Sequence, residues 1–232
     1  MRLRFPGHEG ARIAQTGVGR VVPEGWVSGS VGEFFDLIGG GTPAKSRPEF
    51  WEHGTIDWYT PSDLTRGRTT FVAGSVTQIS QLGLEKSAAR VFPPQSVLMT
   101  SRATLGVLAI ASRSGTCNQG FIVIPPVDGV PPMFVYEWLA DRSSELEAIA
   151  TGATFKEITK GAFKRFPFVR PAPRVLEQFA ELAEPIGRQI ATCELVNKHL
   201  VNARDLLLPR LVTGRLDISD IDLGDLLPAD TV

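Results

Sequence analysis

Three short apolar runs, Ser96–Thr100, Gly106–Ala111 and Phe121–Ile124, follow one another along the chain, divided by the polar clusters Ser101-Arg102-Ala103-Thr104 and Thr116-Cys117-Asn118-Gln119-Gly120. Short β-rich runs bounded by Gly and Ser read as buried strands, so the polar clusters fall on turns at one or both ends of a sheet. Ile56–Thr60 alternates and reads as a strand, and a further strand is expected near Val76–Ile79, followed by a turn at Gly83. Phe166–Arg170 reads as an edge strand, because Pro167 cannot donate to a central ladder. Ser30 and Glu33 have the spacing of a capping box and predict a short helix through Phe34, Phe35, Leu37 and Ile38, stopped by Gly39-Gly40-Gly41-Thr42-Pro43. Pro61–Leu64 reads as a turn or a single helical turn capped by Ser62 or Asp63.

The period then changes. Phe134, Val135, Trp138, Leu139, Leu146 and Ile149 recur at helical spacing, so Pro132–Ala150 is one helix or two, ended by Gly152. Phe155–Phe163 reads as a basic loop with a short helical turn. From Arg174 to Leu208 the apolar positions are Val175, Phe179, Leu182, Ile186, Ile190, Cys193, Val196, Leu200 and Leu207. Steps of three and four suit a helix lying on another helix, although the same stripe could pack on its own domain. Pro185 is expected to break it into Arg174–Ala183 and Pro185–Leu208. The second piece would reach about 35 Å, close to one DNA turn. The pattern predicts an α+β chain, a globular mixed-sheet domain followed by a long C-terminal helix that packs helix to helix. Residues 1–22 read as an extended arm or linker, 23–172 as the globular domain, 173–212 as a helical spacer and 213–232 as an acidic tail.

Composition narrows the function. The chain has 232 residues, 43% hydrophobic and 21% charged, with a net charge of -1. That suffices for a buried core and supplies no global field toward nucleic acid. Charge is uneven, however. Lys156–Arg174 holds six Lys and Arg against one acid, Glu157, whereas Gly214–Val232 holds one Arg against five Asp. The two cysteines, Cys117 and Cys193, are far apart and no signal peptide is evident, which points to a reducing cytoplasm. His8, His53 and His199 are scattered and form no zinc spacing, and no apolar run reaches membrane-spanning length. Phosphate loops, Gly-x-Gly-x-x-Gly, the Gly-x-Ser-x-Gly elbow and the Asn/Asp-Pro-Pro-aromatic motif of amino-methyltransferases are all missing. Asp57 and Asp63 form no recognisable catalytic dyad. A nuclease or methyltransferase is therefore disfavoured, and a binding module without catalysis is expected.

Several segments, taken in order, carry a resemblance. They are Ile38–Pro43, Ile56–Leu64, Gln95–Gly106, Asn118–Phe121, Gly152-Ala153-Thr154-Phe155-Lys156-Glu157-Ile158, Leu176-Glu177-Gln178 and Arg204–Gly214. Across roughly Pro23–Ser219 the chain resembles a specificity subunit of a type I restriction-modification system. The resemblance implies a target recognition domain that reads half of a split double-stranded DNA target. It also implies long helices that bind modification subunits, and through them the restriction subunit. S-adenosylmethionine, ATP and Mg are then expected only on those partners, and no membrane is involved. The match covers one recognition domain and one helical spacer, resembling half of a full subunit. This makes a homodimer through Phe179, Leu182, Ile186, Ile190, Cys193, Val196 and Leu200 the expected assembly. A truncated or cassette gene product remains an alternative at this point, as does a recognition fragment of a larger restriction-methylation enzyme.

On that reading Lys45, Arg47, Lys156, Lys160 and Lys164 are candidates for phosphate, and Arg66, Arg68, Ser101, Arg102, Thr104, Asn118 and Gln119 for base edges. Arg can hold guanine, and Asn or Gln adenine, through paired hydrogen bonds. The competing class is a helix-mediated assembly protein with no DNA binding of its own.

Overall fold

The apolar runs at the middle of the chain build a sheet buried on both faces. In a computed structural model of the protein, the described residues are 13–15, 21–152 and 156–215. The strands are β1 (Ile13–Gln15), β2 (Val21–Pro23), β3 (Val27–Ser30), β4 (Ile38–Gly39), β5 (Ile56–Tyr59), β6 (Phe71–Val72), β7 (Gln78–Ile79), β8 (Val97–Thr100), β9 (Leu108–Ala111), β10 (Thr116–Cys117), β11 (Phe121–Ile124) and β12 (Pro167–Arg170). The helices are α1 (Val31–Phe34), α2 (Pro61–Gly67), α3 (Gln81–Glu85), α4 (Pro132–Asp141), α5 (Ser143–Ala148), α6 (Lys160–Lys164) and α7 (Pro173–Val212), with one 3-10 turn at Pro48–Phe50.

The central sheet runs β4-β11-β8-β9-β6, antiparallel except for β6 beside β9. Alternation along its strands divides the core in two. Val97, Met99, Ile110, Ile122 and Ile124 join one buried cluster with Val135 and Leu139 of α4, Leu146 of α5 and Phe163 of α6. Leu98, Ala109, Ala111, Phe121 and Val123 join the other, with Tyr59, Leu64 and Phe92. A sheet covered on both faces has no polar side, which is why its strands read as continuous apolar runs. A second sheet, β10-β5-β7, lies beside a small cluster around Trp58 and Ile79. Among the described residues β12 pairs with β3 alone, so Pro167 does sit in a two-stranded ladder. β1 pairs with β2, placing a short ladder inside the stretch expected to be an arm.

Several local expectations are corrected. The helix opened by Ser30 ends at Phe34. Phe35 and Leu37 are buried while Asp36 is exposed, and this two-residue alternation suits extended chain leading into β4. Glu33 does reach back, accepting from the Ser30 amide at 3.0 Å and its hydroxyl at 2.6 Å, and these bonds hold its carboxyl below the usual range. The cap of α2 is Thr60, whose amide and hydroxyl both donate to Asp63, each at 2.7 Å. Gly83 lies inside α3, capped by Ser80, rather than on a turn. Pro132–Ala150, expected as one helix or two, forms two, divided at Arg142.

Pro185 does not break α7, which runs unbroken over 40 residues. Proline removes one amide and disfavours a helix interior by about 3 kcal/mol. Here Pro185 and Glu181, whose carbonyl loses its partner, are both exposed, so water can satisfy the orphaned oxygen. The chain divides into two compact units, Met1–Ala191 and Thr192–Val232, with the boundary within α7. In the first unit Leu176 and Gly187 are buried, and a Cβ on Gly187 would come within 3.1 Å of Met133. Among the described residues no helix is long and apolar enough to cross a membrane.

Candidate nucleic-acid interface

Strand register gathers the polar loops at one end of the central sheet. Phe121 opposite Thr100 sets the start of β11 beside the end of β8, and Gly39 opposite Ile122 brings the chain after β4 to the same end. Phe71 beside Ile110 places the approach to β6 there as well. Backbone bonds then knit the loops together. The Ser101 amide donates to Gly120 at 2.7 Å, the Ile158 amide to Ser101 at 2.9 Å, the Gly41 amide to Cys117 at 2.8 Å and the Asn118 amide to Tyr59 at 3.0 Å. A Cβ on Gly40 would run into the Asn118 carbonyl, so only glycine permits this approach.

The candidate residues separate on this frame. Arg102 is exposed at the tip of β8, followed by Ala103 in the left-handed region (φ 61°), and its Nε meets Glu157 Oε1 at 2.8 Å. Gln119 is exposed and accepts from the Thr42 hydroxyl at 2.6 Å. Lys156 adjoins Glu157, and the Lys160 ammonium lies 3.9 Å from where a Cβ on Gly39 would sit. Thr104 and Arg68 line a cavity of about 290 Å³ with Thr65, Thr69, Val107, Leu108 and Tyr136. Arg68 ends α2 in the left-handed region (φ 46°), with Arg66 exposed on the last turn before it.

Other candidates are engaged within the protein. Ser101 is only 3% exposed, so its hydroxyl is not presented to solvent and the residue serves as a backbone junction. Asn118 is half-buried and its side-chain oxygen accepts from the Gly120 amide at 2.8 Å, fixing the turn. The stem of Lys164 lies against Gly32 of α1. Lys45 and Arg47 belong to the segment around the Trp51–Trp58 pair, where Arg47 bonds Glu49 at 3.2 Å and stacks over Phe50. Ala153, Thr154 and Phe155, with residues 216–232 of the expected acidic tail, lie outside the described residues.

Two features escaped the sequence reading. Glu157 is one, signalled only as the lone acid within Lys156–Arg174. The other is a polar junction beneath the loops. Buried Asp57 receives Arg113 Nε at 2.9 Å, the Ser75 hydroxyl at 3.2 Å and Gln78 at 3.3 Å. Asp63 accepts from Thr60 and from the Val76 amide, so both acids are engaged structurally. Burial, reinforced by the Asp57 charge, raises the Tyr59 phenol above its usual range, and burial pushes the Cys117 thiol up to about 12. Neither is a nucleophile near neutral pH. Among the described residues no group of three His, Cys, Asp or Glu is placed to hold a metal.

On α7 the expected partner residues also divide. Phe179 packs edge-to-face on Phe134 at 5.7 Å, so it serves its own unit, and Ile190 is half-buried. Leu182 and Ile186 in the first unit are 74% and 57% exposed; Val196 and Leu200 in the second are 49% and 61% exposed, and Cys193 is exposed too.

The family described as the type I restriction modification DNA specificity domain matches residues 23–191. The chain is 31% identical over 184 residues to the type I restriction enzyme MjaIX specificity subunit of Methanocaldococcus jannaschii, covering 75% of this chain and 42% of that protein. It is 26% identical over 198 residues to the HindI specificity subunit of Haemophilus influenzae, covering 84% and 42%. The fold is similar to a solved structure of HsdS from Thermoanaerobacter tengcongensis, with TM-score 0.53 and 19% identity over 88% of this chain and 48% of that one. A chain from work on assembly and conformational transition of the type I R-M system gives TM-score 0.56 and 21% identity, covering 82% and 45%. The protein thus spans less than half the length of these relatives.

Proposed function

Since the chain belongs to the type I restriction modification DNA specificity family, we propose that it reads one half of a bipartite double-stranded DNA target and performs no catalysis of its own. The observation that carries this reading is the gathering of Arg68, Arg102, Gln119, Lys156 and Lys160 around loops fixed at one sheet end. Rigid placement of a few donors and acceptors is what base-edge discrimination needs, each paired contact being worth about 1–3 kcal/mol. Lys156 and Lys160 bind phosphate and set the salt dependence.

The exposed apolar residues of α7 pair with the helix of a second copy and dock a modification subunit. S-adenosylmethionine, ATP and Mg then belong to the partners, the restriction subunit joins indirectly, and the complex works in the cytoplasm. The test is selection from a random duplex pool by the full chain bound to a type I modification subunit. A two-part symmetric pattern is expected; recovery of random sequence would contradict the reading. A stable complex without sequence enrichment would favour an assembly protein instead, for which the net charge of -1 and the apolar face of α7 speak.

A further inference from the structure

Arg102 is the side chain at the sheet end best suited to guanine, yet it carries an acid. Its Nε meets Glu157 Oε1 at 2.8 Å, the two residues also form an antiparallel bridge, and Glu157 exchanges two backbone bonds with Thr151, at 2.7 and 2.9 Å. The next residue, Ile158, donates to Ser101. Glu157 is therefore fixed by its own backbone on both sides before its side chain reaches Arg102. The pair is open to water, with 53% and 35% of the two side chains exposed, so it contributes little to stability. An acid next to a DNA-facing arginine in a run of basic residues lowers general attraction to phosphate. Its placement needs another benefit.

We propose that Glu157 is a positioning residue for base reading. It holds the Arg102 guanidinium through Nε, keeping the two terminal amino groups as a fork for guanine O6 and N7. At the same time its charge keeps Arg102 from acting as a free phosphate clamp. Glu157 thus raises discrimination twice, by orienting the reader and by weakening non-specific binding. The inference rests on the DNA-reading function proposed above.

The two effects separate experimentally. The full chain with its modification subunit is measured on its selected duplex and on a scrambled duplex, across a salt series. Glu157→Ala frees Arg102, so preference for the selected duplex falls about tenfold. Affinity for the scrambled duplex rises, and its salt slope steepens by about 0.9, the value of one added phosphate contact. Glu157→Gln keeps an acceptor for Nε without the charge. It restores most of the preference while leaving the raised non-specific affinity. In an Arg102→Ala background, Glu157→Ala leaves the preference unchanged, because the positioning passes through Arg102, whereas loss of the carboxylate charge still raises affinity for the scrambled duplex modestly. Unchanged preference in Glu157→Ala, with wild-type selection intact, would overturn the positioning role and leave the DNA-reading function standing. An equal fall in preference with and without Arg102 would overturn it as well. Absence of selection by the wild-type complex would overturn both.

Discussion

The sheet end and the outer face of α7 are opposite solutions to the same exposure. At the sheet end, exposed polar side chains stand on a backbone with almost no freedom: Ser101, Gly120, Gly41 and Asn118 are tied to neighbouring strands, and Ala103 and Arg68 hold left-handed conformations. On α7, large apolar side chains such as Leu182 and Leu200 are exposed on a regular helix. A few polar groups discriminate between ligands only if they are fixed, since a loose donor reaches the wrong base as easily as the right one. Apolar faces need only shape and area, and an uncovered one marks an interaction site. On the proposed function, perturbing the first region changes which sequence is bound, while perturbing the second changes what the chain assembles with.

The largest effect is expected where the loops cross. Gly40→Ala drives a Cβ into the Asn118 carbonyl, and relieving that clash displaces the turn carrying Gln119. A loss of about 3 kcal/mol in denaturant unfolding is expected. Wild-type stability in this variant would mean that the sheet end is far less rigid than its bond network implies.

On the helix, Leu182→Glu with Val196→Glu leaves the unfolding midpoint of the dilute, dissociated chain nearly unchanged, since both residues are exposed. If α7 pairs with a second copy as proposed, the double variant weakens that association at least tenfold, seen as a fall in solution mass. Phe179→Ala does the reverse: it removes a ring packed on Phe134 and lowers stability without lowering mass. A mass change in Phe179→Ala alone would merge the two faces of the helix that the structure keeps apart.

The smallest effect concerns pH. Burial raises the Cys117 thiol from its ordinary 9.0 to about 12. The unfolded chain loses this proton first, so above about pH 9 stability falls with rising pH, by at most about 1.4 kcal/mol per unit, until the native thiol ionises too. Cys117→Ala flattens that part of the profile in denaturant titrations between pH 8 and roughly 10.5. An unaltered slope would place the titration elsewhere.

Much of this architecture is legible in the residue pattern, because burial on both faces leaves strong apolar runs at β8, β9 and β11. Turn chemistry at Gly39–Pro43 and Asn118–Gly120 likewise shows where the chain leaves the sheet. What stays hidden depends on partners distant in sequence. Nothing local marks Glu157 as the mate of Arg102, or Arg113 as the mate of Asp57, because each pair forms only when the sheet closes. Ser101 reads as a surface turn residue and is buried by Gly120 and Ile158. Pro185 reads as a helix stop, yet it and Glu181 lie on an exposed stretch where water can serve the carbonyl that loses its partner, and α7 continues. The outward stripe and the row that packs inward alternate at similar spacings, so Phe179 and Ile190 could not be sorted by period alone.

The most direct test of sequence reading at the sheet end compares Arg102→Ala with Lys156→Ala in one competition experiment on selected and scrambled duplexes. Arg102→Ala is expected to lose preference between them with little change on the scrambled one. Lys156→Ala is expected to weaken both about equally and to reduce the salt slope by about 0.9. Equal, sequence-independent losses in the two variants would contradict the division between reading and anchoring, and with it the assignment of this sheet end as the reader.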